Sequence, residues 1–223
     1  MTLIDNSYDI ANWFDASILV LSFFLLLQRR LQGVIRFYGF QALMLACESA
    51  WQAYSQDAPH LYVTAAIALF FKAILIPIVL HRITVSFDLH RSLDTALGIS
   101  TTMLLGVSLV ALSILLVFPV TTSSGALTRE GLTIALSVVL LGFLMMIARR
   151  NAISQVVGFM SLENGLILAA VSVKGMPLVV ELSIAFSVLI AFIIFGIFFF
   201  HIREQVDTLD LHKIEQFRGG FQK

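Results

Sequence analysis

Apolar positions come in long unbroken runs rather than alternating with polar ones, and the runs predict seven helices, at 13–28, 33–54, 61–80, 95–118, 130–148, 151–173 and 177–200. A run of ~20 apolar residues is what an α-helix needs to cross a hydrocarbon core about 30 Å thick. Within lipid every backbone polar group must be satisfied inside the segment, which leaves no place for an open sheet. Pro59, Pro119 and Pro177 fall at predicted boundaries, where a missing N–H costs little, whereas Pro77 falls inside the third run. The predicted fold class is an all-α polytopic transmembrane bundle over residues 1–200, followed by a cytoplasmic tail at 201–223.

Composition supports this and removes several function classes. Of 223 residues, 59% are hydrophobic and 13% charged, with a mean hydropathy of +0.94; a soluble domain has roughly 45–50% apolar and about 25% charged residues. Fourteen Lys and Arg balance fourteen Asp and Glu, so no global field recruits nucleic acid. One cysteine, Cys47, excludes an intramolecular disulfide and a Cys-rich zinc or iron–sulfur site within this chain. The first residues carry Asp5, Asp9 and Asp15 and no base, unlike a cleaved signal peptide, so the first span is expected to persist. Phosphate loops, dinucleotide fingerprints, zinc-protease and nucleophile-elbow motifs are absent, and no catalytic residue is expected. The histidines show no metal-ligand spacing; His81, His90, His201 and His212 are expected at or beyond the cytoplasmic surface, solvated. Ser123–Ser124 reads as a turn.

Charge placement orients the bundle. Arg29, Arg30, Arg82, Arg91, Arg149, Arg150, Arg203, Lys213, Arg218 and Lys223 fall on one side, Arg129 and Lys174 on the other. Basic loops stay cytoplasmic, which predicts seven crossings with the N-terminus outside and the C-terminus in the cytoplasm. An echo also runs through the chain. Arg29–Arg30 enters a helix that reaches Gly39–Phe40, and Arg149–Arg150 enters one that reaches Gly158–Phe159. This is either a parallel repeat of 13–81 and 130–201 around an intervening helix at 95–118, or coincidence among leucine-rich helices.

Charges inside the spans need a reason, since each opposes insertion by roughly 2.5–3.5 kcal/mol. At ~1.5 Å per residue, Glu163 lies ~18 Å from the cytoplasmic end of its helix and Lys72 ~17 Å from the outer end of its own, both near the midplane. Glu48 lies ~8 Å below the outer face and Glu181 about one turn inside the last helix. Pro77 leaves the Ala73 carbonyl without its helical donor, predicting a kink with a free acceptor beside the Lys72 amine. Amines and carboxylates differ less in proton affinity when buried than in water, which suits them to a relay. Structural readings stand beside that one. Glu48 and Lys72 also suit an ion pair between helices two and three, Glu163–Asn164 interhelical hydrogen bonding, and Glu181 and Asp15 hydration at the interface. Arg36 snorkels to the cytoplasmic headgroups.

The stretch ARRNAISQVVGFMSLENGLILAA at 148–170, the following GMPLVVELSIAF and the tail LDLHKIEQFRG resemble hydrogenase-4 component E, a membrane subunit of formate hydrogenlyase and related group 4 hydrogenase complexes. The resemblance extends less sharply over the whole chain, including FFKAILIPIVL around Lys72. Residues of about 130–220 are in turn similar to the small K subunit of respiratory complex I. The resemblance implies a non-catalytic subunit of the bacterial or archaeal inner membrane, beside antiporter-like subunits and a peripheral arm that carries nickel–iron and iron–sulfur centres. It also implies that Glu163 matches the first of two glutamates on the K subunit's charged axis. The second has no clean match: the last helix offers Ser187 and Leu189 at the comparable depth, with Glu181 nearer the outside.

The expected function is therefore an accessory membrane subunit of an oxidoreductase complex, with Glu163, Lys72, Glu48 and Glu181 on a buried path for protons or sodium. The alternatives are a scaffold joining antiporter-like subunits to the arm, and an autonomous transporter of small ions or solutes. Ile202, Val206, Leu209, Ile214 and Phe217 space apolar anchors along a tail that either docks on a partner or stays solvated.

Overall fold

The computed structural model describes residues 2–86, 97–120 and 126–172. The predicted span 177–200 with Glu181, the tail, His90, His201, His212 and Ser123–Ser124 lie outside the described residues.

Each of the other six apolar runs forms a helix over its described residues. They comprise α1 (Thr2–Leu27), α2 (Leu31–Ser55), a long rod made of α3 (His60–Ile67), a π-helical segment (Ala68–Leu75) and α4 (Ile76–Ser86), then α5 (Ile99–Val120), α6 (Ala126–Ala148) and α7 (Ala152–Ser172). No strand occurs among the described residues. Five of the helices are long and apolar enough to cross a membrane: α1, the rod, α5, α6 and α7. α2, at about 37 Å, is long enough as well but carries Arg36, Gln41, Glu48 and Gln52, of which Gln41 and Glu48 are buried against the other helices.

Short turns with local caps fold the helices back on themselves. At the end of α2, Asp57 takes a left-handed conformation (φ 52°) and the Ala58 N–H donates to the Ala53 carbonyl at 3.1 Å. This is a Schellman ending, with Pro59 immediately after it. Before α7 the Asn151 Oδ1 accepts from the N–H groups of Ile153 (2.9 Å) and Ser154 (3.4 Å), an N-cap that satisfies two otherwise orphaned donors.

α6 and α7 pack antiparallel along a glycine seam. Gly142 faces Leu162, Gly158 faces Met146 and Gly165 faces Val139, so rising numbers on one helix meet falling numbers on the other. A Cβ on Gly142 would lie 2.7 Å from the Leu162 backbone nitrogen, so this approach requires glycine. Small residues at such seams let helix backbones meet in lipid, where packing rather than the hydrophobic effect drives association. α1 and α2 form a second antiparallel pair, with Phe24 stacked on Phe37 at 5.2 Å. The two hairpins lie side by side in parallel: Gln41 bonds Ser161, 120 residues on, and Asn12 bonds Glu130, 118 residues on. Ile18, Leu45, Ala135, Val138 and Leu168 fill the apolar core between them. α5 leans on α6 through a Ser113–Ser137 hydrogen bond and on α1 where Gly106 meets Phe23 and Leu26, and its outer face exposes residues such as Leu104, Val107 and Leu115.

The rod changes its hydrogen-bond pattern ahead of Pro77. Its middle widens into a π-helix from Ala68 to Leu75, and the Ile76 N–H reaches back five residues to the Phe71 carbonyl. Pro77 sits second in α4 and cannot donate to the carbonyl four residues before it. A wider turn just ahead of the proline lets the helix continue where the missing donor would otherwise break it. Gly39 of α2 lies against this point, where an added Cβ would be 3.3 Å from the Pro77 Cγ.

Candidate functional site

Polar residues on the inward faces of four elements meet in the middle of the bundle. Lys72 lies on the π-helical segment about 18 Å from the rod's end at His60, and its side chain is 1% exposed. The wider turn changes the angular position of each residue on the helix, so the break that begins before Pro77 also sets where Lys72 points. Its ammonium pairs with the Glu163 Oε1 at 3.1 Å and donates to the Asn164 Oδ1 at 3.0 Å. Both acceptors stand on α7, about 17–18 Å from its start at Ala152.

Hydrogen bonds continue from there across the bundle. The Asn164 Nδ2 donates to the Gln41 Oε1 of α2 at 3.3 Å. The Gln41 Nε2 donates to the Ser161 Oγ at 3.0 Å and to the Ser22 Oγ of α1 at 2.7 Å. Ser22 in turn donates to the Ile18 carbonyl at 2.9 Å. Lys72, Glu163, Asn164, Gln41, Ser161 and Ser22 are all buried, so one connected network links four helical elements away from solvent. Tyr38, also buried, lies within electrostatic reach of Glu163.

The expected Glu48–Lys72 ion pair is not formed; Lys72 pairs with Glu163 instead. Glu48 lies two turns beyond Gln41 on α2, about 10 Å further along the helix, and belongs to a second polar group. The Gln52 Nε2 donates to its Oε1 at 2.8 Å. The Gln56 Nε2 bonds the Gln52 Oε1 at 2.8 Å and the Val171 carbonyl at 3.1 Å. Asp15 of α1 is close enough for its charge to act on Glu48. Asp15 was expected at a hydrated interface but is buried, because α6 and α7 cover this part of α1 at Gly131 and Ser172.

A third feature sits at the turn between α6 and α7. Arg149, predicted only as one of ten loop bases, is buried, whereas Arg150 beside it is exposed. The Arg149 Nη2 donates to the Leu26 carbonyl at 2.7 Å and the Gln28 carbonyl at 2.5 Å, closing the end of α1 with a cation where unbonded carbonyls collect negative charge. Gln41, Ser22, Ser161 and Arg149 were missed from sequence. A polar residue in an apolar run signals Gln41, but nothing in the sequence separates Arg149 from Arg150. Among the described residues no group of His, Cys, Asp and Glu is arranged to hold a metal ion.

Inward-facing polar residues on long apolar helices define the class as a multi-pass α-helical membrane protein. The chain is 27% identical to an uncharacterized protein of Mycobacterium tuberculosis over 208 residues, 92% of this chain and 94% of that protein. It is also 27% identical to hydrogenase-4 component E of Escherichia coli K12 over 185 residues, 82% of this chain and 85% of that protein. No family model and no solved structure matches it.

Proposed function

We propose that this chain is a non-catalytic membrane subunit of a hydrogenase complex of the formate hydrogenlyase type. In this reading the Lys72–Glu163 pair and the Asn164–Gln41–Ser22 network form part of a buried path for protons or sodium. The observation that carries the path is the fully buried ion pair on a π-helical segment, joined to a continuous hydrogen-bond network. Ionisable groups at membrane depth commonly belong to ion pathways, and single π-turns are frequent at functional sites. The similarity to a hydrogenase component supplies the setting. Redox centres, nickel–iron and iron–sulfur, reside in partner subunits, with antiporter-like subunits beside this chain in the inner membrane. The end that carries Arg29, Arg30, Arg149 and Arg150 faces the cytoplasm. Glu48, with Asp15, forms a second station on the path, and Glu181 belongs to the same set. The side-by-side hairpins, in contact at residues about 120 apart, support reading them as copies of one unit.

Glu163→Gln keeps an acceptor for Lys72 and removes the charge. In inverted membrane vesicles from a strain that carries the variant, the complex is expected to assemble normally while ion translocation per hydrogen evolved falls at least tenfold. Normal assembly with unchanged translocation defeats the relay.

A further inference from the structure

Arg36 and Arg82 lie on separate helices yet line one groove. On α2, Gln32, Arg36 and Phe40 follow at intervals of four and therefore share a face. On the rod, Ile74, Ile78 and Arg82 do the same. The two faces border a groove of about 650 Å³ between α2 and the rod, closed at its base where Gly39 lets the helices approach at Pro77. Arg36, Phe40, Ile74, Ile78 and Arg82 are all exposed, and neither arginine has a carboxylate partner among the described residues.

Polarity is segregated along the groove. Gln32, Arg36, His81 and Arg82 collect at one end with no Asp or Glu among the lining residues, and the rest of the wall is apolar as far as Leu43 and Leu69. From Arg36 to Leu43 is about 10 Å along α2, and from Arg82 to Leu69 is about 20 Å along the rod. That span brackets one leaflet's half of the hydrocarbon core, about 15 Å. A partner helix would need an apolar seat about twice that length. The groove is basic at one end and apolar over the depth of a single leaflet, which matches one lipid molecule with a negative headgroup.

We propose that this groove is a binding site for an anionic diacyl phospholipid, its phosphate held between Arg36 and Arg82 and an acyl chain laid along the apolar wall. The site lies on the outer face of α2 and the rod, apart from the buried network, and does not depend on the hydrogenase reading.

The test uses the full chain purified in mild detergent, with native mass spectrometry of bound phosphatidylglycerol against phosphatidylcholine of the same acyl chains. The wild type is expected to retain phosphatidylglycerol roughly 25-fold better, about fivefold per arginine, the ratio that about 1 kcal/mol per basic residue near a membrane surface represents. Arg36→Gln and Arg82→Gln should each remove about a fivefold share with unchanged melting temperature in lipid-free detergent. Ile78→Trp, which fills the groove, should lower retention of both lipids. Inorganic phosphate in excess should not displace the lipid. Equal retention of the two lipids, or a preference that survives loss of both arginines, overturns the proposal, as does displacement by phosphate alone. A photocrosslinking side chain at position 78 should gain a lipid-sized mass in native membranes; a protein-sized adduct instead would assign the groove to a partner chain and overturn the lipid site.

Discussion

Lys72 has two acceptors on one helix, so the consequences of removing either charge differ from those of removing both. Glu163→Leu strands a buried ammonium and is expected to cost about 3–5 kcal/mol, whereas Lys72→Met together with Glu163→Leu should recover most of that loss. Thermal unfolding in detergent checks the stabilities. The double variant also separates relay from scaffold: ion coupling should remain low in a relay even with stability restored, and should return if the charges only fix helix register. Arg149 and Arg150 form a second contrast. Arg149→Met leaves the α1 carbonyls without their guanidinium and is expected to cost about 3 kcal/mol, in the range of hydrogen bonds to charged groups. Arg150→Met, at an exposed position, should change stability by less than about 0.5 kcal/mol. The sequence shows two adjacent arginines with one composition and one loop. Only the end of α1, brought in from more than 120 residues away, makes them different.

Apolar runs of membrane length have few ways to satisfy their backbones, so the helices themselves were legible from the length of the runs. Their ends were less so, because polar residues continue a helix beyond its apolar stretch, as in α1, which begins at Thr2 rather than near residue 13. The π-helical segment was not legible. Pro77 announces a missing donor but not where along the helix the hydrogen-bond pattern changes, and the approach of Gly39 of α2 to Pro77 is equally invisible in a linear run of apolar residues. At the α6–α7 seam the dependence on close approach is direct. Gly142→Ala is expected to lower stability by about 1–3 kcal/mol, since its Cβ must displace backbone rather than a flexible side chain. Gly98→Ala, with its nearest neighbour 3.8 Å away, meets no backbone and should cost less than about 1 kcal/mol, the share due to alanine at the position that caps α5. Melting temperatures of the two variants measured side by side would show whether the seam is as tight as the geometry requires.

For the whole molecule, the reading as one subunit among several is tested by what stays with it. The tagged chain, extracted from native membranes in mild detergent, is expected to carry hydrogenase and antiporter-like subunits in stoichiometric amount, identified by mass spectrometry; isolation of the chain alone would favour an autonomous transporter. The membrane class follows from composition, because apolar surface on this scale has no soluble arrangement. The depths of Lys72 and Glu163 also follow from sequence, because helical rise converts residue number into distance. What the tertiary structure decided is partnership. Glu48 on the neighbouring run and Glu163 at the same depth were both candidate partners for Lys72, and the pairing with Glu163 depends on which helices are neighbours and how each is rotated. Those choices are made by small-residue seams, a π-turn and the parallel approach of two hairpins. In lipid an apolar face can pack against almost any other, so the sequence of an apolar helix specifies its length and depth far more strongly than its neighbour.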